Sequence, residues 1–218
     1  YKTIKKAYEV AKDGDTICLL SDISLEDKLI LGENKKITIT GKVVDGTPKI
    51  TYGYSGTDPR LYMIEVGVEK GVSIESFVTF ENVIIDAEEK DIRCFRVCPK
   101  SQLTLNAGAT VCNGRAIHQD GTTGSNDWGG GIVVDGTAKL VMENGSLIKG
   151  CSAEWGGAIY LAGEMEMNGG VISDNTAVGD LYDFGGEMVT SNAHGGAILI
   201  RANRADYDES YDIPAKLT

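Results

Sequence analysis

The sequence predicts an all-β fold, a parallel β-helix, because short phrases recur along it at near-constant spacing and alternate by two residues within each copy. WGGGIVV at 128–134 returns as WGGAIYL at 155–161 and HGGAILI at 194–200. A second phrase, LTLNAGATV at 103–111, returns as LVMENGSLI at 140–148 and MEMNGGVI at 165–172. Self-similarity of this kind marks a repeat array and decides the architecture before any single residue does. The apolar pair Val78/Phe80 matches Leu103/Leu105, Leu140/Met142 and Met165/Met167, at steps of 25, 37 and 25 residues. A coil of 25 residues accounts for all three steps once the middle one carries an insertion of 12.

Within each copy the period is two, as strands require and helices forbid. Ile159 and Leu161 fall on one side and Tyr160 on the other; Leu103 and Leu105 oppose Thr104; Met165 and Met167 oppose Glu166. Each period supplies about three short strands, separated by Gly or Asn bends where positive φ costs little. Strands stacked at about 4.8 Å over six or seven coils make a rod about 30 Å long, filled with columns of Leu, Ile, Val and Met. Parallel crossovers are overwhelmingly right-handed, which sets the expected hand.

The elements follow in order. Over residues 2–12, Ile4, Ala7, Tyr8 and Ala11 fall at helical spacing while Lys5, Lys6, Glu9 and Lys12 fall elsewhere, giving an amphipathic helix that ends at Gly14. Such a helix can cover the open end of the first coil. TICLL, DKLIL and KKITIT read as strands, SDIS and GEN as bends, so the first coil spans 16–41. Ile37 lies 41 residues before Val78, which puts extra sequence in the second turn, within TPKITYGYSGTDPRLY at 47–62. Two loops are added further on: HQDGTTGSNDW at 118–128 and VGDLYDFGGEMVTS at 178–191. The array is therefore one elongated domain, with the capping helix in 1–15, the β-helix in 16–203 and a non-repeat tail or linker in 204–218.

FVTFENVIIDA at 77–87 and the opening YKTIKKAYEVAKDGDTICLLSDI resemble the pectate-lyase-like right-handed parallel β-helix superfamily. Its members often begin with a capping helix and a D-G-D-T-I entry into the first strand. The GGAI and N-G-G-x-I-x-x-N phrases are similar to the repeats of polymorphic outer-membrane adhesins and of large surface proteins of Gram-positive gut bacteria. The likeness covers nearly the whole chain, and its motifs specify coils and bends rather than catalytic groups. It implies a right-handed coil and a bacterial, secreted or cell-surface setting.

Charge narrows the partners. A net charge of −11 over 218 residues opposes nucleic acid, whose backbone is held by clustered Lys and Arg. Polyanions are disfavoured unless divalent cations bridge. Most of the Asp and Glu read as a solvated exterior. Two clusters are Ca²⁺ candidates, Asp206, Asp208, Glu209 and Asp212, and Asp120, Asn126 and Asp127, although neither has the spacing of a known calcium loop; no cofactor is expected. No apolar run approaches 18 residues, so no membrane insertion is expected, and the chain, which opens at Tyr1 without a signal peptide, reads as a piece of a longer protein. Five cysteines, Cys18, Cys94, Cys98, Cys112 and Cys151, make an odd count. Cys151 falls where the next repeat has Asn175, a ladder position at a bend. Cys94 and Cys98 either pair or both face the interior, and without His partners they are weak evidence for zinc.

A catalytic constellation does not assemble. The aligned exterior carries Thr79, Thr104, Val141 and Glu166, with no Arg or Lys facing an Asp cluster at matching positions. Asp86, Asp135 and Asp174 stand singly beside turns, and His118 and His194 lack a Ser or Cys partner. One constellation does rise above background: Trp128, Trp155 and His194 occupy the same place in successive repeats, immediately before Gly-Gly. They form either a structural ladder that shields the bend or a platform for sugar rings or a partner's apolar side chains. The loops at 118–128 and 178–191 flank that corner and bring Asp120, Asp127, Tyr182 and Phe184 to it. The expected function is a non-catalytic adhesin or display stalk, extracellular or cell-surface, binding glycan or protein on a host or neighbouring cell. A carbohydrate-active enzyme, a polysaccharide lyase or glycoside hydrolase, is the alternative, and a purely structural spacer the second.

Overall fold

A computed structural model describes residues 1–43, 46–53, 62–68, 74–117, 127–179, 181–184, 187–190, 192–201 and 216–218, without the side chains of 181–184, 187–190 and 216. Asp120, Asn126, His118, Asp206, Asp208, Glu209 and Asp212 lie outside the described residues, as do the side chains of Tyr182 and Phe184.

The chain opens with α1 (Ile4–Val10), capped by Thr3, whose side chain accepts from the Lys6 N–H. Ile4 and Tyr8 are buried and Ala7 and Ala11 pack beside them, the face the helical spacing predicts. Lys35 fastens the far end of the helix: its Nζ, nearly buried, donates to the carbonyls of Tyr8 and Ala11 at 2.6 and 3.0 Å. A cation there meets the negative end of the helix dipole.

The first coil is β1 (Thr16–Leu19), β2 (Ile23–Leu25) and β3 (Leu29–Leu31); the second is β4 (Lys36–Gly41), β5 (Lys49–Tyr52) and β6 (Tyr62–Val66); the third is β7 (Phe77–Glu81), β8 (Ile84–Asp86) and β9 (Arg93–Val97). The fourth holds β10 (Gln102–Leu105), β11 (Thr110–Cys112), β12 (Arg115–Ala116) and β13 (Ile132–Val134). The fifth holds β14 (Lys139–Met142), β15 (Leu147–Lys149), β16 (Ser152–Ala153) and β17 (Ile159–Leu161). In the sixth come β18 (Glu164–Met167), β19 (Val171–Ser173), β20 (Thr176–Ala177), β21 (Leu181–Phe184), β22 (Glu187–Thr190) and β23 (Ile198–Ile200), and β24 (Lys216–Leu217) begins a seventh.

Stacking these coils generates three long parallel sheets. The first face runs β1-β4-β7-β10-β14-β18-β24, the second β2-β5-β8-β11-β15-β19 and the third β3-β6-β9-β13-β17-β23, with a short β12-β16-β20 strip at one corner. The predicted register is the observed one: Ile37, Val78, Leu103, Leu140, Met165 and Leu217 pair in succession, and so do Ile132, Ile159 and Ile198. Val78, Leu103, Leu140 and Met165 are at most 1% exposed, and one apolar core runs the length of the stack. The fold is a parallel β-helix with an N-terminal helix.

Two local expectations need correction. SDIS is not a simple bend, because Ile23 pairs with Ile50 and starts β2; three residues suffice for a strand when a neighbour supplies the ladder. The first coil also closes before residue 36, since β4 already lies on β1 with Ile39 against Ile17. The loop at 178–191 contains a hairpin, β21 antiparallel to β22, with Tyr182 opposite Val189 and Phe184 opposite Glu187. Within the stretch read as a tail, β24 rejoins the array against β18.

Leu103→Ala is expected to cost about 2–5 kcal/mol by leaving a void between coils. Thr104→Ala, one residue away on the outer surface, is expected to cost less than about 1 kcal/mol. Urea unfolding of the two variants measures both; equal losses would show that the columns do not hold the stack together.

Candidate functional site

The outer surface of the third face is where the unusual side chains gather. Its outward column reads Ile30, Glu65, Arg96, Val133, Tyr160 and Leu199 from coil one to coil six. A surface column ought to be wet, yet Glu65, Val133 and Tyr160 are buried. Val133, Tyr160 and Ala162 form a second apolar cluster outside the coil, with Tyr62, Trp128, Trp155 and Leu199 packed on it.

The Gly-Gly bends feed this cluster. Trp128 bridges Trp155 and Trp155 bridges His194 through parallel backbone pairing, so the three equivalent positions do lie above one another. The glycine that follows each has φ of +57°, +70° and +64° at Gly129, Gly156 and Gly195, and a Cβ on Gly156 would meet the Ile159 carbonyl at 2.2 Å. Only glycine fits. The side chains do not make a single ladder. The Trp128 ring stacks on Tyr160, with centroids 4.7 Å apart and planes 12° apart, whereas Trp155 meets His194 edge-on at 5.6 Å. Trp155 Nε1 is buried and finds no acceptor among the described residues. Asp127 is fully buried, and its carbonyl accepts from the Trp155 N–H at 3.0 Å. It therefore belongs to the bend that carries the rings.

Arginine is the part the sequence reading missed. Arg93, fully buried, donates from Nε to the Trp128 carbonyl at 2.8 Å, and Arg93 and Arg96 sit 5.1 and 5.7 Å from the Tyr62 ring centre. Arg96 pairs with Asp135 at 2.9 Å, both mostly covered. Arg201 lies 5.2 Å from the centre of the Trp155 ring and close enough to the Tyr160 phenol to act on its ionisation. Burial pushes that phenol's pKa up, with Arg201 pulling the other way, so Tyr160 stays protonated at neutral pH. The column arithmetic that aligned Ile132, Ile159 and Ile198 could have found Tyr160, one residue on, and Arg201, three on. Arg93 and Arg96 belong to a coil without the Gly-Gly phrase and gave no signal.

The first face carries a charge cluster that the sequence reading did not foresee. Lys139 Nζ lies 3.3 Å from Glu164 and 2.7 Å from Glu166, so a lysine does face carboxylates on the exterior. The hydrogen bond that Lys139 Nζ donates to Glu166 raises the Lys139 pKa, which keeps the amine charged and makes it a poor proton acceptor. Asp174 is a turn residue at φ +55°. Asp86, nearly buried, is pushed up by burial, but hydrogen bonds from Asn113 Nδ2, the Glu88 N–H and Lys49 outweigh this and hold its carboxyl below the ordinary range.

None of the five cysteines is in a disulfide; Cys94, Cys98, Cys112 and Cys151 are buried and Cys18 is exposed. Cys151 stacks under Asn175, whose Oδ1 accepts its N–H at 2.9 Å, as the repeat alignment requires. Cys94 is raised well above the usual thiol range by its hydrogen bond with Cys151 and by burial. Cys112 is pushed up to about 12 by burial and the nearby Asp86 charge. Thiols held protonated are weak nucleophiles and weak metal ligands. Among the described residues no three His, Cys, Asp or Glu side chains converge as a metal site, and no helix is long and apolar enough to cross a membrane.

Because the folded Asp86 carboxyl has a lowered pKa, its stabilisation is complete above the unfolded value near 3.9 and fades as pH falls through the folded one. Asp86→Asn is thus expected to lower Tm at pH 7 and to match the parent at pH 2; a gap that persists unchanged at pH 2 would contradict the assignment. Comparison with protein-family models, with curated proteins and with solved structures finds no match to this chain, so its residues alone carry the functional reading.

Proposed function

We propose that the chain is a non-catalytic β-helix module of a secreted or surface-displayed bacterial protein, an adhesin or display stalk, which binds glycan through the aromatic surface of its third face. The observation that carries this reading is the external cluster of Trp128, Tyr160, Trp155 and His194, held on the stacked Gly-Gly bends and on β17. Trp128, stacked on buried Tyr160, and Trp155, edge-on to exposed His194, keep part of their ring surface in solvent, and such indole surface matches the apolar faces of sugars. Rings fixed by the coil lose little freedom on binding, which favours affinity without a deep pocket. The protonated Lys139 between Glu164 and Glu166 supports binding over lyase chemistry, which needs a base to take a proton. Likeness to the pectate-lyase-like superfamily and to bacterial surface repeats supports an extracellular setting.

Glycan-array binding by the whole chain tests the proposal. Trp155→Ala is expected to lower affinity at least tenfold, with a Tm drop of no more than a few degrees. Full binding in that variant, or turnover of any array glycan by the parent protein, would overturn it in favour of a spacer or an enzyme.

A further inference from the structure

The arginines give the surface a chemical preference, and the geometry points to a ligand that presents a single carboxylate on a sugar ring, bound by Arg201 beside Trp155 and Tyr160. This inference rests on the glycan-binding reading above and deepens it.

Arg93, Arg96 and Arg201 all lie on the outer surface of the third face, in a protein whose net charge is −11. Two of them have work within the fold: Arg93 holds the Trp128 carbonyl and Arg96 holds Asp135. Arg201 differs. Among the described residues it lies over the Trp155 ring and near the Tyr160 phenol, and no carboxylate pairs with it there. It stands in the column of Asp135 and Ala162, one coil beyond the last of these, half-buried against aromatic walls. A guanidinium over an aromatic ring has lost part of its hydration and keeps N–H donors for a two-oxygen acceptor. Trp155 Nε1–H, in the ring that Arg201 approaches, is buried and has no acceptor among the described residues. Exposed His194 adds a further polar edge to the Trp155 ring.

Arg201, part-buried and with no acidic partner among the described residues, favours a ligand that brings one negative charge to the aromatic surface. A polyanion would meet Glu164, Glu166 and the rest of the exterior and be repelled. A glycan that ends in one acidic sugar satisfies both conditions: its ring lies on the aromatic surface and its carboxylate accepts from Arg201. Sialic acid and a terminal uronic acid share this chemistry.

The test uses the whole chain and three defined probes, 3′-sialyllactose, a disaccharide ending in glucuronic acid, and lactose, titrated by calorimetry at low salt. At least one acidic probe is expected to bind 10- to 100-fold tighter than lactose, the range of a hydrogen bond to a charged group, and which one binds identifies the source. Arg201→Gln is expected to bring that probe down to the lactose level with Tm held, and Arg201→Lys to keep part of the preference. Equal binding of acidic and neutral probes leaves the aromatic surface as the site and overturns the carboxylate; so does a preference that survives Arg201→Gln. No binding of any probe or array glycan overturns both readings.

Discussion

Everything in this molecule depends on parallel strands stacking without a register shift. Because Val78, Leu103, Leu140 and Met165 occupy one column, each inner side chain has its neighbours above and below chosen by the chain's own periodicity. Volume must then be matched coil by coil, and a slip of one residue would turn the apolar set outward. The ladder also leaves every insertion only one place to go. Extra residues leave at a bend and return to the same column, which is why 118–128 and 178–191 add sequence without moving Ile132, Ile159 or Ile198 out of line.

The constant shaft explains the split between what the sequence discloses and what it conceals. Columns of like residues are periodic, so the core, the register of the first and third faces and the stacking of the Gly-Gly bends could be read directly. Strands of two or three residues, such as β2 and β12, exist because a neighbouring coil completes their hydrogen bonds, and nothing local announces them. The site was half legible. Trp128, Trp155 and His194 share a phrase, but Tyr160, Arg96 and Arg201 come from three different coils and meet only through side-chain packing across the surface. That Trp128 turns to Tyr160 while Trp155 turns to His194 is likewise a matter of local packing, invisible to alignment.

Burial on the third face gives the two halves of the molecule different characters. On the first face the outward residues, Thr79, Thr104, Val141 and Glu166, follow the usual rule of a polar exterior with one apolar exception. The third face breaks that rule at Glu65, Val133 and Tyr160, whose burial needs a layer outside the coil. Rings and guanidinium groups supply much of it, held by backbone carbonyls and carboxylates rather than by solvent. The helix end has its own solution, in which Lys35 ties the Tyr8 and Ala11 carbonyls to the chain entering β4.

The direction of the ladder also has a mechanical meaning. Strands lie across the rod, so their hydrogen bonds point along it, and tension applied between the two termini pulls on those bonds lengthwise. A shaft loaded along this axis would therefore yield by peeling from an end, one turn at a time. Each turn of 25 residues releases about 85 Å of slack. A shaft built this way would absorb a sudden pull by lengthening in small steps, and the ring cluster on its side would persist until unwinding reached the turns that hold it.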